Sequence, residues 1–158
     1  RSLRREIEKL RRELATMARK AFDVEALEDV AQVRRQTSAD TIGARVIAVD
    51  RSPLREDLMA SPQIEFRKGD AFRFEPESPV DWLLCDVIAA PERSIALCLD
   101  WVRRRLARRF VVTIKFKGEE DYAVLDRLKE TLPALCSEFF LTRLCANKNE
   151  ACAFGVVE

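Results

Sequence analysis

Leu3, Ile7, Leu10, Leu14 and Met17 follow one another at alternating intervals of four and three residues. This is the spacing of a helix that lays an apolar stripe against another helix. A second helix is predicted from an N-cap at Asp23 to about residue 35, with Val24, Leu27, Val30, Ala31 and Val33 on one buried side. Together they make a helical hairpin or a dimerising arm. Residues 38–43 (SADTIG) break the pattern, so a boundary is expected between an N-terminal helical segment, 1–42, and a strand-rich domain, 43–158.

Beyond that boundary strand and helix alternate. RVIAVD (45–50) reads as a strand, 53–60 as a short helix, and 63–68 as a second strand ending at Gly69-Asp70. The run VDWLLCDVIAAP is apolar at Val80, Trp82, Leu83, Leu84 and Cys85, as in a strand covered on both faces. It then stops on Asp86. Residues 92–109 are predicted as a helix with Ile95, Leu99, Val102 and Leu106 inward, Cys98 bordering that face and Leu97 turned away. FVVTIKF (110–116) is a fourth strand, and 119–132 a helix with Tyr122, Leu125, Leu128 and Leu132 along one side. Two last strands, 137–144 and 151–157, flank the polar turn Asn147-Lys148-Asn149, which favours an antiparallel pair. The order βαββαβαββ predicts an α/β fold with a Rossmann-like sheet, mostly parallel with an antiparallel last strand, preceded by the helical segment.

Composition narrows the classes. A chain of 158 residues with 47% hydrophobic side chains fits one domain with a sizeable core. The 28 basic and 27 acidic residues leave a net charge of +1, which neither demands nor excludes a nucleic-acid partner. Local charge decides. The basic first helix and the stretch RRRLARR (103–109) are each either a solvated helix face or a contact for RNA phosphates. No run approaches the roughly 20 apolar residues of a membrane span, and the charged start RSLRREIEKL lacks a signal-peptide core. A soluble, cytoplasmic protein without a membrane partner is expected. Five cysteines without CxxC spacing read as reduced, buried thiols rather than a disulfide framework or a zinc site. The absence of histidine excludes Ser-His-Asp and Cys-His hydrolases and the commonest metal sites. Proton transfer then falls to Asp, Glu, Lys, Tyr or Cys.

In open α/β sheets ligands bind in the crevice beyond the carboxyl ends of the strands. Asp50, Asp86 and Lys115 end predicted strands, Asp70 follows one, and Glu150 begins the last. If that last strand runs antiparallel, Asp86, Lys115 and Glu150 gather at one edge. A lysine inside FVVTIKF is the least expected of them, because a buried ammonium costs several kcal/mol unless paired. It is either one half of an ion pair with Asp86 or Glu150, or an amine positioned to accept a proton.

The segments GARVIAVDRSPL, GDAFRF, DWLLCDVIAAPER, TIKFKGEEDY and NKNEACAFGVV, in that order, resemble the C-terminal part of FtsJ-type ribose 2′-O-methyltransferases, over about residues 43–158. The resemblance implies transfer of a methyl group from S-adenosylmethionine to a ribose 2′-hydroxyl of RNA, ribosomal RNA in particular. It implies a Lys-Asp-Lys-Glu tetrad of which Asp86, Lys115 and Glu150 are three members. Lys9, in an Arg-x-x-x-Lys-Leu pattern with Arg5 and Leu10, is the candidate for the first lysine, with Lys20 behind it. By the same resemblance Asp50 holds the ribose of the cofactor and Asp70 lies near its adenine.

The family's first strand and glycine-rich turn have no counterpart here, since the glycines stand only at 43, 69, 118 and 155. That strand would have filled the sheet between RVIAVD and VDWLLCD. Either residues 1–42 replace it, another chain supplies it, or the sequence omits residues. Two alternatives to an active methyltransferase therefore stand. One is an inactive Rossmann-like binding or assembly module that forms a homo-oligomer through the N-terminal helix. The other is a different enzyme using an Asp/Lys pair with another nucleotide, although no phosphate loop of GxGxxG or GxxxxGKS type is present.

Overall fold

The computed structural model describes residues 44–116, 122–144 and 149–158. Among them the strands form two sheets, not the one continuous sheet that the order of elements predicts. The chain divides into two compact units, Arg1–Gly69 and Asp70–Glu158. The expected helices of residues 1–35 and the boundary near residue 43 lie outside the described residues, as does most of the turn before the last strand.

In the first unit β1 (Val46–Asp50) and β2 (Ile64–Lys68) pair in parallel, with Val46 opposite Ile64 and Asp50 opposite Lys68. A single helical turn, α1 (Glu56–Met59), joins them. The ladder closes where Gly69 N–H donates to the Asp50 carbonyl at 2.9 Å. No further described strand pairs with β1, which is why the predicted single sheet stops here.

The second unit is a four-stranded mixed sheet in the order β3-β4-β6-β5. β3 (Val80–Cys85) runs parallel to β4 (Ala107–Lys115). β6 (Glu150–Val157) lies antiparallel between β4 and β5 (Cys136–Leu144). Only β6, the last strand, runs against the other three, as the sequence predicts, and it inserts between β4 and β5.

One face of this sheet carries the core. Phe110, Val112, Ile114, Ala151 and Ala153 are buried beneath α2 (Pro91–Arg103) and α3 (Asp126–Thr131). Each large side chain fully buried there contributes roughly 1.5–3 kcal/mol. Pro91 starts α2 with a φ already set for helix. Its apolar face is wider than the four inward residues predicted, because Leu97, Cys98 and Trp101 are buried as well. Leu97 is thus a core residue and not the outward one expected.

The same helix ends six residues earlier than its sequence suggests. Arg105 N–H donates to the Val102 carbonyl and Leu106 N–H to the Trp101 carbonyl, both at 3.0 Å, with Arg105 at φ 54°. This is the paired closure of a Schellman motif, whose left-handed position is usually glycine. Arginine there costs about 1–2 kcal/mol. The chain turns at once into β4, three residues earlier than predicted. The 119–132 helix is likewise replaced by a 3-10 turn (Tyr122–Leu125), α3, and a second 3-10 turn (Leu132–Ala134) in the described part.

Candidate active site at the carboxyl edge of the four-stranded sheet

Asp86 leaves the end of β3 just as β4 delivers Lys115, its last residue, one strand away. Lys115 Nζ lies 2.9 Å from Asp86 Oδ1, with the lysine side chain 20% exposed and the aspartate 34%. Parallel pairing brings them together, since both strands present their carboxyl ends at the same edge. β6 arrives from the opposite direction, so its first residue, Glu150, stands directly opposite Lys115 in the ladder. Directly paired residues leave a sheet on the same face with Cβ atoms about 4.5–5.5 Å apart. The next pair on that face is Thr113 with Cys152. The edge thus holds one lysine nitrogen between two carboxylate-bearing elements.

Cys152 belongs to the same neighbourhood. Its thiol is pushed up from 9.0 to about 11, chiefly by burial and secondarily by the Asp86 carboxylate. Burial also raises the Cys85 thiol, with a smaller upward push from Asp86 and a downward one from Lys115. These thiols stay protonated at neutral pH and are not nucleophiles. For Cys152 the folded state holds its proton more tightly than the unfolded chain does. Its stabilising effect is therefore complete below about pH 9 and is lost as the pH climbs through about 11. We expect the wild type to lose on the order of 2 kcal/mol more than Cys152→Ala between those limits. Urea denaturation across that range checks it, and parallel stability curves for the two proteins would refute it.

A group not foreseen from the sequence fastens the start of β6. Tyr122 donates from its hydroxyl to Asn149 Oδ1, and Arg143 Nη2 donates to the same hydroxyl at 3.0 Å and to Asn149 Oδ1 at 3.5 Å. The Arg143 guanidinium lies 4.6 Å over the Tyr122 ring, whose other neighbour is Phe116, with ring centroids 4.5 Å apart. Phe116 N–H meanwhile donates to the Asn149 carbonyl at 2.8 Å. These contacts fix the residue just before Glu150, and so its register with Lys115. The only sequence signal for them is the adjacency of Asn149 to Glu150, because helical spacing puts Tyr122 on one side of a helix with Leu125, Leu128 and Leu132.

The remaining candidates lie apart or beyond description. Asp50 ends β1 in the first unit, exposed, with Oδ1 accepting from Ser52 N–H at 2.8 Å. Asp70 belongs to the second unit; Oδ1 accepts from Phe72 N–H at 3.0 Å, and Oδ2 lies 3.7 Å from Arg93 Nη2. Arg93 also stacks over Phe72 at 4.1 Å, so the Asp70 loop is tied to the first turn of α2. Lys9 and Lys20 lie outside the described residues. No group of ligands suited to a metal ion occurs among the described residues, and none of their helices is long and apolar enough to cross a membrane.

Comparison with known proteins places these segments. The chain is 40% identical over 88 residues to the Ribosomal RNA large subunit methyltransferase M of Stutzerimonas stutzeri, covering 56% of this chain and 25% of that protein. The protein of the same name from Azotobacter vinelandii is 38% identical over 88 residues, and that from Pseudomonas aeruginosa 37% over 94. The chain therefore spans about a quarter of the length of the curated relatives it matches. The family resemblance read from the motifs is borne out over rather more than half of this chain. No family model matches. A solved structure described as the delta-N METTL16 MTase domain aligns over 73% of this chain and 62% of its own, with 14% identity and a TM-score of 0.47, too distant to bear on the argument.

Proposed function

We propose that this chain carries the catalytic edge of an S-adenosylmethionine-dependent ribose 2′-O-methyltransferase acting on RNA, with ribosomal RNA as the substrate class its relatives' name suggests. The observation that carries the reading is the Lys115–Asp86 pair at 2.9 Å with Glu150 opposite it at one sheet edge, in a chain similar to those relatives.

The described residues fit only one half of the cofactor. Asp50, an exposed carboxylate at a strand end, suits a ribose diol, and Asp70 suits a place near the adenine. For the methionine half a close backbone approach is needed, and the described glycines do not supply it. A Cβ on Gly69 would meet nothing within 4 Å, and Gly155 is packed against the sheet itself. When bound, S-adenosylmethionine supplies a methyl group activated by its sulfonium.

The chain's own residues then have defined tasks. Lys115, entering the step as the free amine, takes the proton of the ribose 2′-hydroxyl on Nζ and becomes the ammonium. Asp86 accepts a hydrogen bond from that nitrogen and so turns its lone pair away from the carboxylate. Glu150 orients the ribose from the other side. Much of the rate comes from holding the hydroxyl in line.

Calorimetric titration with S-adenosylmethionine and S-adenosylhomocysteine tests the reading. Binding in the micromolar range, about −8 kcal/mol, is expected, with a loss on Asp50→Ala. A folded chain that binds neither ligand would be the inactive binding module instead.

A further inference from the structure

The far end of the same strands is the most basic part of the described chain. Residues 103–109 hold five arginines and no acid. Arg105, Arg108 and Arg109, with Pro79, Val156 and Glu158, line a cleft of about 440 Å³ where β3 and β4 begin and β6 ends. Their charges are unequally committed. Arg104 is engaged by Glu75 and Asp100. Arg108 reaches Asp81 at 3.6 Å, with both side chains about three-quarters exposed, 77% and 74%, a contact of little strength in water. Arg105 and Arg109 have no carboxylate partner among the described residues. The Arg109 guanidinium lies 5.4 Å over the Trp82 ring, which holds the planar fork without neutralising it.

Arg105 is the telling member. It occupies the left-handed position that glycine fills more cheaply, at φ 54°, and it is one of the residues lining the cleft. A strained arginine at a position that favours glycine, beside two further arginines, fits a task for the guanidinium. Arginine forks match phosphate oxygens in pairs.

We infer that this cleft is a second contact for the RNA phosphate backbone, set apart from the Lys115–Asp86 pair; the inference rests on the RNA reading above. Arg109 and Lys115 are six residues apart on β4, about 20 Å at roughly 3.3 Å per residue. The cleft therefore grips RNA flanking the modified nucleotide rather than the nucleotide itself. Glu158 at the lining opposes the phosphates and limits the affinity.

The test is fluorescence anisotropy with a labelled RNA hairpin and with a trinucleotide too short to span both places, titrated between about 50 and 200 mM salt. For the hairpin, Arg105→Gly and Arg109→Ala each flatten the slope of log K against log salt by about 0.7–0.9, and Glu158→Gln tightens binding. The trinucleotide binds the wild type and these variants alike. Arg105→Gly melts at or above the wild-type temperature, since glycine is at ease at this φ, so its weaker binding is no folding defect. Unchanged slopes, an equal effect on the trinucleotide, or no salt-dependent RNA binding by the wild type would each overturn the inference. Loss of cofactor binding with arginine-dependent slopes intact rejects the methyltransferase reading and leaves the cleft standing. Methyl transfer with unaltered slopes rejects the cleft alone.

Discussion

Lys115→Ala is expected to lower methyl transfer by a factor on the order of 10²–10⁴, the usual contribution of a positioned proton acceptor. Lys115→Arg is expected to lose nearly as much. Arginine keeps a charge beside Asp86 but cannot be deprotonated in a protein, so it separates the ion pair from the proton transfer. Neither variant should unfold. Asp86 is 34% exposed, and water screens a carboxylate that has lost its partner there, so the cost is about 1 kcal/mol or less. Single-turnover methylation of RNA alongside urea denaturation measures both quantities. If Lys115→Arg retained wild-type turnover, proton acceptance by this residue would be wrong. Lost stability in both variants, with no wild-type activity to lose, would make the pair purely structural.

Gly155→Ala should have the largest effect on folding, about 3 kcal/mol of destabilisation. Gly155 lies in β6 with Phe110 opposite on β4 and Phe139 opposite on β5. A Cβ there would sit 2.5 Å from the Glu138 carbonyl oxygen and 2.9 Å from Phe110 Cζ. The oxygen is backbone, held by the sheet, and the ring is 1% exposed in the core. Neither can yield without moving a strand. Because β6 also brings Glu150 to Lys115, the variant should lose the site's geometry together with its stability. Urea denaturation of Gly155→Ala, Phe110→Leu and the double variant checks the argument. The double variant should be more stable than the sum of the single costs implies, because the smaller side chain removes one of the two clashes. Wild-type stability in Gly155→Ala would mean that β5 moves away from β6 freely, and the packing account would fail.

Particular residues mark where sequence reading was sufficient. Asp86 at the end of an apolar run, Lys115 at the end of FVVTIKF and Glu150 at the start of the last strand were all legible. Strand ends are visible as changes of polarity, and the right-handed, parallel logic of α/β chains then assigns them to an edge. The distance of 2.9 Å between Lys115 and Asp86 was not legible, nor was the choice between Asp86 and Glu150 as ion-pair partner. The ladder register and side-chain rotamers decide both. The end of α2 shows the opposite case. RRRLARR contains good helix formers and no glycine or proline, so local propensity continues the helix through it. The structure instead spends backbone strain at Arg105 to turn Ala107 and Phe110 into the core, at 4% and 1% exposure.

The sequence by itself determined the kinds of element, most of their positions to within a few residues, and the identities of the ionisable groups at strand ends. Those follow from local periodicity, polarity and turn chemistry, which neighbouring residues set. Tertiary structure alone decided that the strands make two sheets, that Leu97 is core, that Tyr122, Asn149 and Arg143 lock the start of β6, and that three arginines share a cleft. Each of those depends on which distant segments meet. Hydrogen-bond register and the burial of one surface against another decide such meetings, and neither is encoded in any single stretch of chain.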